Sequence, residues 1–295
     1  MVASNQGSMA SGSENPAALA GPSNGSLYTT NYVGESSRLS ESLLRSNNPI
    51  QNRVLEYLSM GAEKGTLYFE PLGRREGQTI QDPAQPTTDF TEYKFSANAI
   101  GFAGTAPLKS GSIGLSFAYL YGSLASTVHQ NGTPDKSTLD TASGVRLNMG
   151  LRYPTGPFMW GAVLQNAPGF LWWGHYRRDM LPLRVRVGNT WRLSPGVLFS
   201  AESETRYYEE GSHKEHFLYL GSETAPSKTL VFRAGVFSNS MGQPDTRHWT
   251  GGITLNFQND VTLSYALESF LFENERVKKS ILSIRVPMTA GDVSK

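Results

Sequence analysis

Cysteine is absent from the 295-residue sequence, which excludes disulfides, thiolate metal sites and thiol catalysis. No run of about 18 apolar residues is present either, so the sequence contains no candidate transmembrane helix. Charged residues make up only 17% of the chain and the formal net charge is +1. That balance argues against a nucleic-acid-binding protein, which would carry a basic surplus. Glycine (30 residues) and aromatic residues (11%) are plentiful, as short turns and strands require.

After Gly65 most of the chain alternates apolar and polar residues with a period of two, the pattern of β-strands that have one apolar face. In the run from Ser112 to Gly122, one face carries Ile113, Leu115, Phe117, Tyr119 and Tyr121, and the other carries mainly glycine, serine and alanine. The alternation recurs in 145–153, 181–193, 253–258, 261–268 and 282–286. The longer runs suit tilted membrane strands, which need about 9–11 residues, rather than soluble strands of about 5–6.

Charged residues in these runs lie on the face opposite the apolar one. They are Arg146, Arg152, Arg184, Arg186, Arg192, Glu202, Glu204, Arg206, Arg233, Glu268 and Arg285. Short turn signals such as Pro154-Thr-Gly156 alternate with longer polar links such as 239–247. This combination predicts an all-β fold, an antiparallel up-and-down transmembrane β-barrel of about 14 strands, with 12 as the alternative. The charged side chains would face its lumen.

The first 62 residues have a different pattern. A short strand is predicted over Leu27–Val33, and a helix within 36–62, where Asn48 and Pro49 resemble a helix start. We therefore expect residues 1–62 to form an N-terminal hatch that plugs the lumen, residues 63–288 to form the barrel and residues 289–295 to form a tail. Met1–Gly12 is polar and is no signal peptide. We therefore expect either that the true start of the protein, with a leader for export, lies upstream, or that the sequence is a mature chain in which Met1 replaces the leader.

Several motifs carry a resemblance to a known family. Asn15-Pro-Ala-Ala-Leu-Ala-Gly21 resembles the Asn-Pro-Ala hatch segment of FadL-like and PorV/PorQ-like outer-membrane proteins. Leu164-Gln-Asn166 with Leu181–Gly188 resembles a second stretch of PorV/PorQ-type barrels, and motifs between Phe232 and Arg285 follow the order of their last strands. The resemblance implies a bacterial outer-membrane location, a barrel of about fourteen strands, and a hatch that contains Asn15, Pro16 and Ala17.

Two functions follow from the resemblance. PorV/PorQ-like members are structural, partner-binding parts of secretion or surface-assembly machines, and FadL-like members pass hydrophobic small molecules through the barrel wall. Because the expected lumen face is charged and no inward apolar stripe is evident, the partner-binding function is the first expectation and the FadL-like channel is the alternative. A soluble or enzymatic β-protein is the third. Expected partners are outer-membrane lipid and secretion-machine proteins, with a hydrophobic small molecule as the alternative.

Three groups of residues have competing interpretations. The lumen arginines would form either an anion-selective constriction or ion pairs that fill the interior. Phe170, Leu171, Trp172 and Trp173 are expected in a loop, as a patch that binds a partner or substrate or as an anchor in the lipid headgroups. The histidines are expected as solvated residues in or near loops: His129, His175, His213, His216 and His248. No Gly-x-Ser-x-Gly motif or other catalytic signature is present, so neither an enzyme nor a cofactor is expected.

Overall fold

The computed structural model describes residues 15–18, 26–36, 54–62, 65–80, 89–176, 178–208, 214–239, 247–272 and 275–287. Almost all of them are in strands: β1 Ser26–Ser36, β2 Val54–Ala62, β3 Gly65–Ile80, β4 Phe90–Leu108, β5 Gly111–Gln130, β6 Thr133–Thr155, β7 Phe158–Gln165, β8 Gly169–Trp173, β9 Asp179–Met180, β10 Leu183–Ser194, β11 Val197–Tyr207, β12 Lys214–Thr224, β13 Leu230–Asn239, β14 Arg247–Asn256, β15 Thr262–Phe272 and β16 Glu275–Pro287. Pro16–Ala18 and Gln258–Asp260 form single turns of 3-10 helix. Within these ranges, no helix has the length and apolarity to cross a membrane.

The sheet is antiparallel and closes on itself. Strand β1 pairs with β16, and β5 pairs with β6. Strands β7 and β8 lie in line along the same edge of β6, and β9 and β10 lie in line along the next edge. These four segments therefore make two wall strands, and the described residues form a closed wall of fourteen strands. The predicted antiparallel barrel of about 14 strands is confirmed.

Alternating side chains place the apolar face outside the barrel. Leu115 and Phe117 are 54% and 55% exposed on β5, whereas Ser116, Ala118 and Leu120 between and beside them are almost completely buried. With no water in a bilayer core, a closed barrel satisfies every main-chain group while its outer face contacts lipid. This outer face is the apolar belt of a transmembrane barrel.

The two ends of the barrel differ. At one end neighbouring strands are joined by short turns, such as 109–110, 156–157 and 195–196, and the start of β1 pairs there with the end of β16 through Ser26 and Pro287. At the other end the connections are mostly longer, as at 37–53, 208–213 and 240–246. We call these the short-turn end and the long-loop end.

The expected boundary of the barrel at residue 63 is wrong. The strand predicted over Leu27–Val33 exists as β1, but β1 pairs with both β16 and β2 and is part of the wall. The barrel therefore starts at Ser26. The expected tail, 289–295, lies outside the described residues.

The helix expected within 36–62 is also wrong where it can be compared, because residues 54–62 form strand β2. Leu58 and Met60 are exposed on the outer face, and Tyr57 and Ser59 are buried on the inner face. The same residues satisfy both helical and strand periodicity, and pairing with β1 and β3 decides for the strand. The rest of that prediction, residues 37–53, lies outside the described residues.

Candidate functional site in the barrel lumen

Asn15–Ala18 lies against the inner wall near the short-turn end. The Asn15 side chain accepts a hydrogen bond from the Ala17 amide at 3.1 Å, and the Asn15 carbonyl accepts one from the Ala18 amide at 2.9 Å, which closes the turn. Ser112 on β5 donates its hydroxyl to the Ala17 carbonyl at 2.5 Å. All four residues of the turn are buried. The predicted hatch residues Asn15, Pro16 and Ala17 thus contact the wall directly.

Two inward-facing glycines make this contact possible. A Cβ atom at Gly114 on β5 would overlap the main chain of Pro16 and Ala17, and one at Gly150 on β6 would overlap the Asn15 side-chain oxygen. Glycine at both positions lets the backbone of Asn15–Ala18 approach the wall closely. Inward glycines on adjacent strands are the sequence signal for this docking site.

A cluster of paired charges lies on the inner faces of β10, β11 and β12. Arg186 is bonded to Glu202, and its Nε lies 3.5 Å from a Glu204 oxygen. Arg206 donates to Glu204 at 2.5 Å, and the Tyr219 hydroxyl donates to the same carboxylate at 3.1 Å. Each buried charge therefore has an opposite charge or a hydrogen-bond donor beside it, as burial of ions requires.

Three further pairs lie elsewhere on the inner face, and each involves a partner outside the predicted set. Arg146 is bonded to Glu70 at 2.5 Å, and Arg233 to Glu223 at 2.7 Å. Glu268 accepts a hydrogen bond from His248 at 2.6 Å. The predicted charges are thus divided among separate groups. The strand patterns alone did not show which strands would be neighbours across the barrel.

Among the remaining predicted charges, Arg184 lies beside the cluster of β10–β12, opposite Arg206 on β11. The Nε atoms of Arg152 and Arg184 are buried without a hydrogen-bond partner among the described residues. Arg192 is exposed near the short-turn end of β10, and Arg285 faces inward on β16 near the same end.

An aromatic ladder crosses the inner face near the long-loop end. It consists of Tyr219 on β12, Phe237 on β13, His248 on β14 and Phe270 on β15. Successive ring centroids are 5.2, 4.2 and 4.5 Å apart, and the last two pairs are stacked within 22°. Phe217 extends the ladder, with its ring centroid 6.2 Å from that of Tyr219. The prediction that the lumen has no inward apolar stripe is therefore wrong. His248, expected in or near a loop, is the second residue of strand β14.

An apolar cluster lies on a different part of the inner wall, formed by β2–β6 and β8. Small side chains such as Ala97, Ala99 and Ala118 form its base, and Leu120 and Leu171 are buried among them. Larger side chains pack against this base: Leu72, Phe95, Trp173 and Leu181. The lumen thus has apolar surface towards the long-loop end, with ion pairs that adjoin it at Phe217, Tyr219 and His248, and the predicted hatch residues near the short-turn end.

The expected aromatic loop Phe170–Trp173 is instead strand β8 in the wall. Leu171 is buried inside, and Trp173 donates its indole N–H to Asp179 at 2.7 Å. Phe170 and Trp172 alternate with them, and Trp172 is 45% exposed. Pairing with β6 places the four residues on two faces, so they do not form one continuous patch.

The wall is irregular where β7 continues into β8. Strand β6 pairs with β7 as far as Met149 opposite Leu164, and with β8 from Arg146 opposite Gly169. Between these two pairs, the strand made of β7 and β8 has two more residues than β6. Asn166 has a positive φ of 59° at this bulge. Its side-chain amide donates to the Pro182 carbonyl at 2.7 Å. On one side of this bond Gln165 pairs with Arg184. On the other side the Leu181 amide donates to the Gly169 carbonyl.

Beyond the apolar belt, Asp140 on β6 anchors the loop that follows β8. Its carboxylate accepts hydrogen bonds from the amides of Thr141 at 2.9 Å and of Gly174 and His175 at 3.1 Å each. Burial raises the pKa of Asp140, but the bonds from His175 and Thr141 outweigh it, so the pKa lies below its ordinary value. The ionised carboxylate holds this loop on the wall.

An apolar groove of about 640 Å³ lies on the outer face of β7 and β10–β14. Its lining includes the exposed rings of Phe158, Trp191, Phe199 and Trp249, with Ala201 and Ala234 between them. These side chains belong to the apolar belt, so the groove faces the membrane and is separate from the lumen.

Comparisons with known proteins agree with this architecture. Neither a family model nor a curated protein matches the sequence. Among solved structures, the chain is similar to the toluene transporter TbuX of Ralstonia pickettii, with a TM-score of 0.66 and 13% identity over 95% of this chain and 94% of the other. The CymD monoaromatic hydrocarbon channel has a TM-score of 0.66 and 14% identity over 98% and 95%. A FadL homologue of Pseudomonas aeruginosa has a TM-score of 0.57 and 10% identity over 95% and 94%. At such identities the likeness shows a shared β-barrel fold.

Proposed function

We propose that this chain is an outer-membrane channel for hydrophobic small molecules. The similar solved structures include transporters and channels named for toluene and monoaromatic hydrocarbons. An apolar outer belt with short turns at one end and longer loops at the other is the arrangement of outer-membrane barrels, whose longer loops are extracellular. The long-loop end would then face the outside of the cell.

The aromatic ladder is the observation that carries the proposal. A channel for apolar solutes must offer apolar contacts, because a polar group met by such a solute loses water without gaining a partner. Tyr219, Phe237, His248 and Phe270 provide a row of rings close to the proposed outer mouth. The apolar cluster around Leu120 and Leu171 continues this surface on another part of the wall.

The lower lumen favours a route through the wall. Ion pairs such as Arg186–Glu202 line the lumen beside the ladder, and the predicted hatch residues lie near the short-turn end, so an apolar solute that continued along the barrel axis would meet charged groups and then the hatch. The bulge at Asn166 lies beside the apolar cluster, since Leu181 contacts Gly169 at the start of β8. We place the exit at this bulge, where the solute would pass between β7–β8 and β9–β10 into the membrane.

The first expectation, a PorV/PorQ-like part of a secretion machine, rested on a charged lumen without an inward apolar stripe and took Phe170–Trp173 as its partner-binding loop. The strand geometry of β8 leaves Trp172 as its most exposed member, while Leu171 is buried and Trp173 is bonded to Asp179. The ladder provides the inward apolar surface that a channel for hydrophobic solutes needs and that a partner-binding scaffold does not need. The channel therefore takes precedence.

Uptake of radiolabelled p-xylene tests the proposal in Gram-negative cells that lack their own hydrocarbon channels. Cells that express the chain should take up p-xylene faster than cells with an empty vector. Phe237→Ala removes an inward ring of the ladder and should lower uptake. Phe232→Ala removes an outward ring from the same strand, 46% exposed to lipid, and should leave uptake unchanged.

Heat-modifiable migration on gels verifies that each variant forms a barrel. A correctly folded protein with no uptake above the empty vector would refute the channel. Equal loss in the two variants would mean that the ladder has no special part in transport.

A further inference from the structure

His248 is the member of the aromatic ladder whose ring itself carries hydrogen-bonding nitrogens, and one of these nitrogens has a defined partner. Its Nδ1 lies 2.6 Å from a Glu268 carboxylate oxygen. The faces of its ring are stacked against Phe237 at 4.2 Å and Phe270 at 4.5 Å. Contacts on both faces and one edge hold the imidazole in a single orientation.

That orientation presents the other ring nitrogen to the lumen. A carboxylate only accepts hydrogen bonds, so Nδ1 carries the proton that it donates to Glu268. In the neutral imidazole Nε2 is then an acceptor. Nε2 is among the ring atoms farthest from the backbone, and His248 points inward with Glu268 and Phe270. No hydrogen bond joins Nε2 to a described residue.

We propose that Nε2 of His248 binds the hydroxyl group of hydroxylated aromatic solutes, so that the channel prefers phenols to hydrocarbons of the same size. This inference rests on the proposed channel function. The solute ring contacts the edge of the ladder, and its hydroxyl group donates to Nε2. A phenol thereby replaces the hydrogen bond that it gives up to water, whereas a hydrocarbon leaves Nε2 without a partner.

The charge around the site narrows the ligand class further. Glu268 lies next to the imidazole, and an anionic solute such as an aromatic carboxylate would be repelled by it and would offer Nε2 no proton. A saturated alcohol could donate a proton but would lack a flat ring to match Phe237 and Phe270. Neutral phenols satisfy both the acceptor and the rings.

The test compares p-cresol with p-xylene, which differ by a hydroxyl in place of a methyl group. Uptake is measured in the expressing cells, with the empty-vector rate subtracted. His248→Phe keeps a ring in the ladder and removes the acceptor. Since a hydrogen bond contributes about 1 kcal/mol, p-cresol uptake at low concentration should fall about fivefold while p-xylene uptake stays the same or rises. His216→Phe, which changes an exposed histidine on the outer face of β12, is the matched control and should alter neither rate.

Glu268→Gln gives a second readout, because the glutamine oxygen can still accept the Nδ1 proton and the preference for p-cresol should largely persist. An unchanged p-cresol to p-xylene ratio in a folded His248→Phe barrel would overturn the inference and leave the channel in place. An equal fall of both rates would also overturn it, since His248 would then not select between solutes. If the unmodified chain transports neither solute, the channel itself is refuted.

Discussion

The side-chain amide of Asn166 donates a hydrogen bond to the Pro182 carbonyl at 2.7 Å, across the irregular part of the barrel wall. On one side of this bond Gln165 pairs with Arg184, and on the other the Leu181 amide donates to the Gly169 carbonyl. A side chain therefore bridges the two strands where the regular ladder is interrupted. Side-chain bonds can open without unpairing a strand, which makes this position suited to the passage of a solute.

Removing the bulge should close the proposed exit. Deleting Ala167 and Pro168, which exchange main-chain hydrogen bonds with Leu147, shortens this strand by the two residues that it has in excess and lets β7 and β8 pair with β6 in one continuous register. We expect p-xylene uptake to fall to near the empty-vector rate, although the barrel still forms.

Asn166→Ala removes only the side-chain bridge and should maintain or increase uptake. Asn256→Ala, which removes another asparagine bond to a main-chain carbonyl, here Lys228, is the control. Full uptake after the deletion would show that solutes leave elsewhere.

Disturbing the hatch should open the lumen to ions. Gly114→Val places a side chain where the main chain of Pro16 and Ala17 now lies, so the hatch must move away from β5. A barrel of fourteen strands is intermediate between those filled by side chains and the 16–18-stranded porins that leave an aqueous channel. We therefore expect a higher single-channel conductance in planar bilayers. Gly251→Val adds the same side chain at a position with open space around it and should leave conductance unchanged. Equal conductance in the two variants would mean that other segments close the lumen.

Loss of the Asp140 carboxylate should release the loop after β8. Asp140→Ala removes the acceptor of the Gly174 and His175 amides, so we expect trypsin to cut faster after the exposed Arg178 at neutral pH. Asp89→Ala removes a carboxylate that accepts the Asn131 amide in another loop, and cleavage after Arg178 should not change. Equal cleavage of the Asp140→Ala and unmodified proteins would show that the carboxylate does not anchor this loop.

The same anchor predicts a dependence on pH. Because the pKa of Asp140 is lowered in the folded protein, its ionised form contributes stability that is complete above the ordinary aspartate pKa and is lost as the pH falls through the lowered value. Amide exchange at Gly174 and His175, corrected for intrinsic rates, should therefore stay slow at neutral pH and increase below about pH 4. In Asp140→Ala this change should be absent.

The sequence by itself determined the sidedness of the strands. In Val145–Tyr153 the period of two assigns Arg146 and Arg152 to the face opposite Leu147 and Met149, and the structure has them buried inside with Met149 exposed outside. No long-range information is needed, because successive strand side chains always point to opposite faces. The barrel class follows from the same rule, since a sheet with an apolar outer face that crosses a membrane must close.

Local patterns were not enough where two periods fit the same residues. Val54, Leu55 and Leu58 have helical spacing, but pairing with β1 and β3 makes this segment a wall strand. Phe170–Trp173 has a loop-like sequence context, yet its alternation is that of the strand that it forms against β6. In both segments hydrogen bonds to distant parts of the chain decide between structures of similar local preference.

Only the tertiary structure decided which inward side chains meet. Tyr219, Phe237, His248 and Phe270 come from four strands, and in the sequence each is a single aromatic residue separated from the next by a turn or loop. The register of β12 to β15 places them side by side, and a shift of one residue in any strand would turn its ring to the outer face. Register is set by the pairing of whole strands and by the loops that join them. Sequence periodicity gives the two faces of a strand, but strand pairing decided that these four rings face inward side by side and form a ladder.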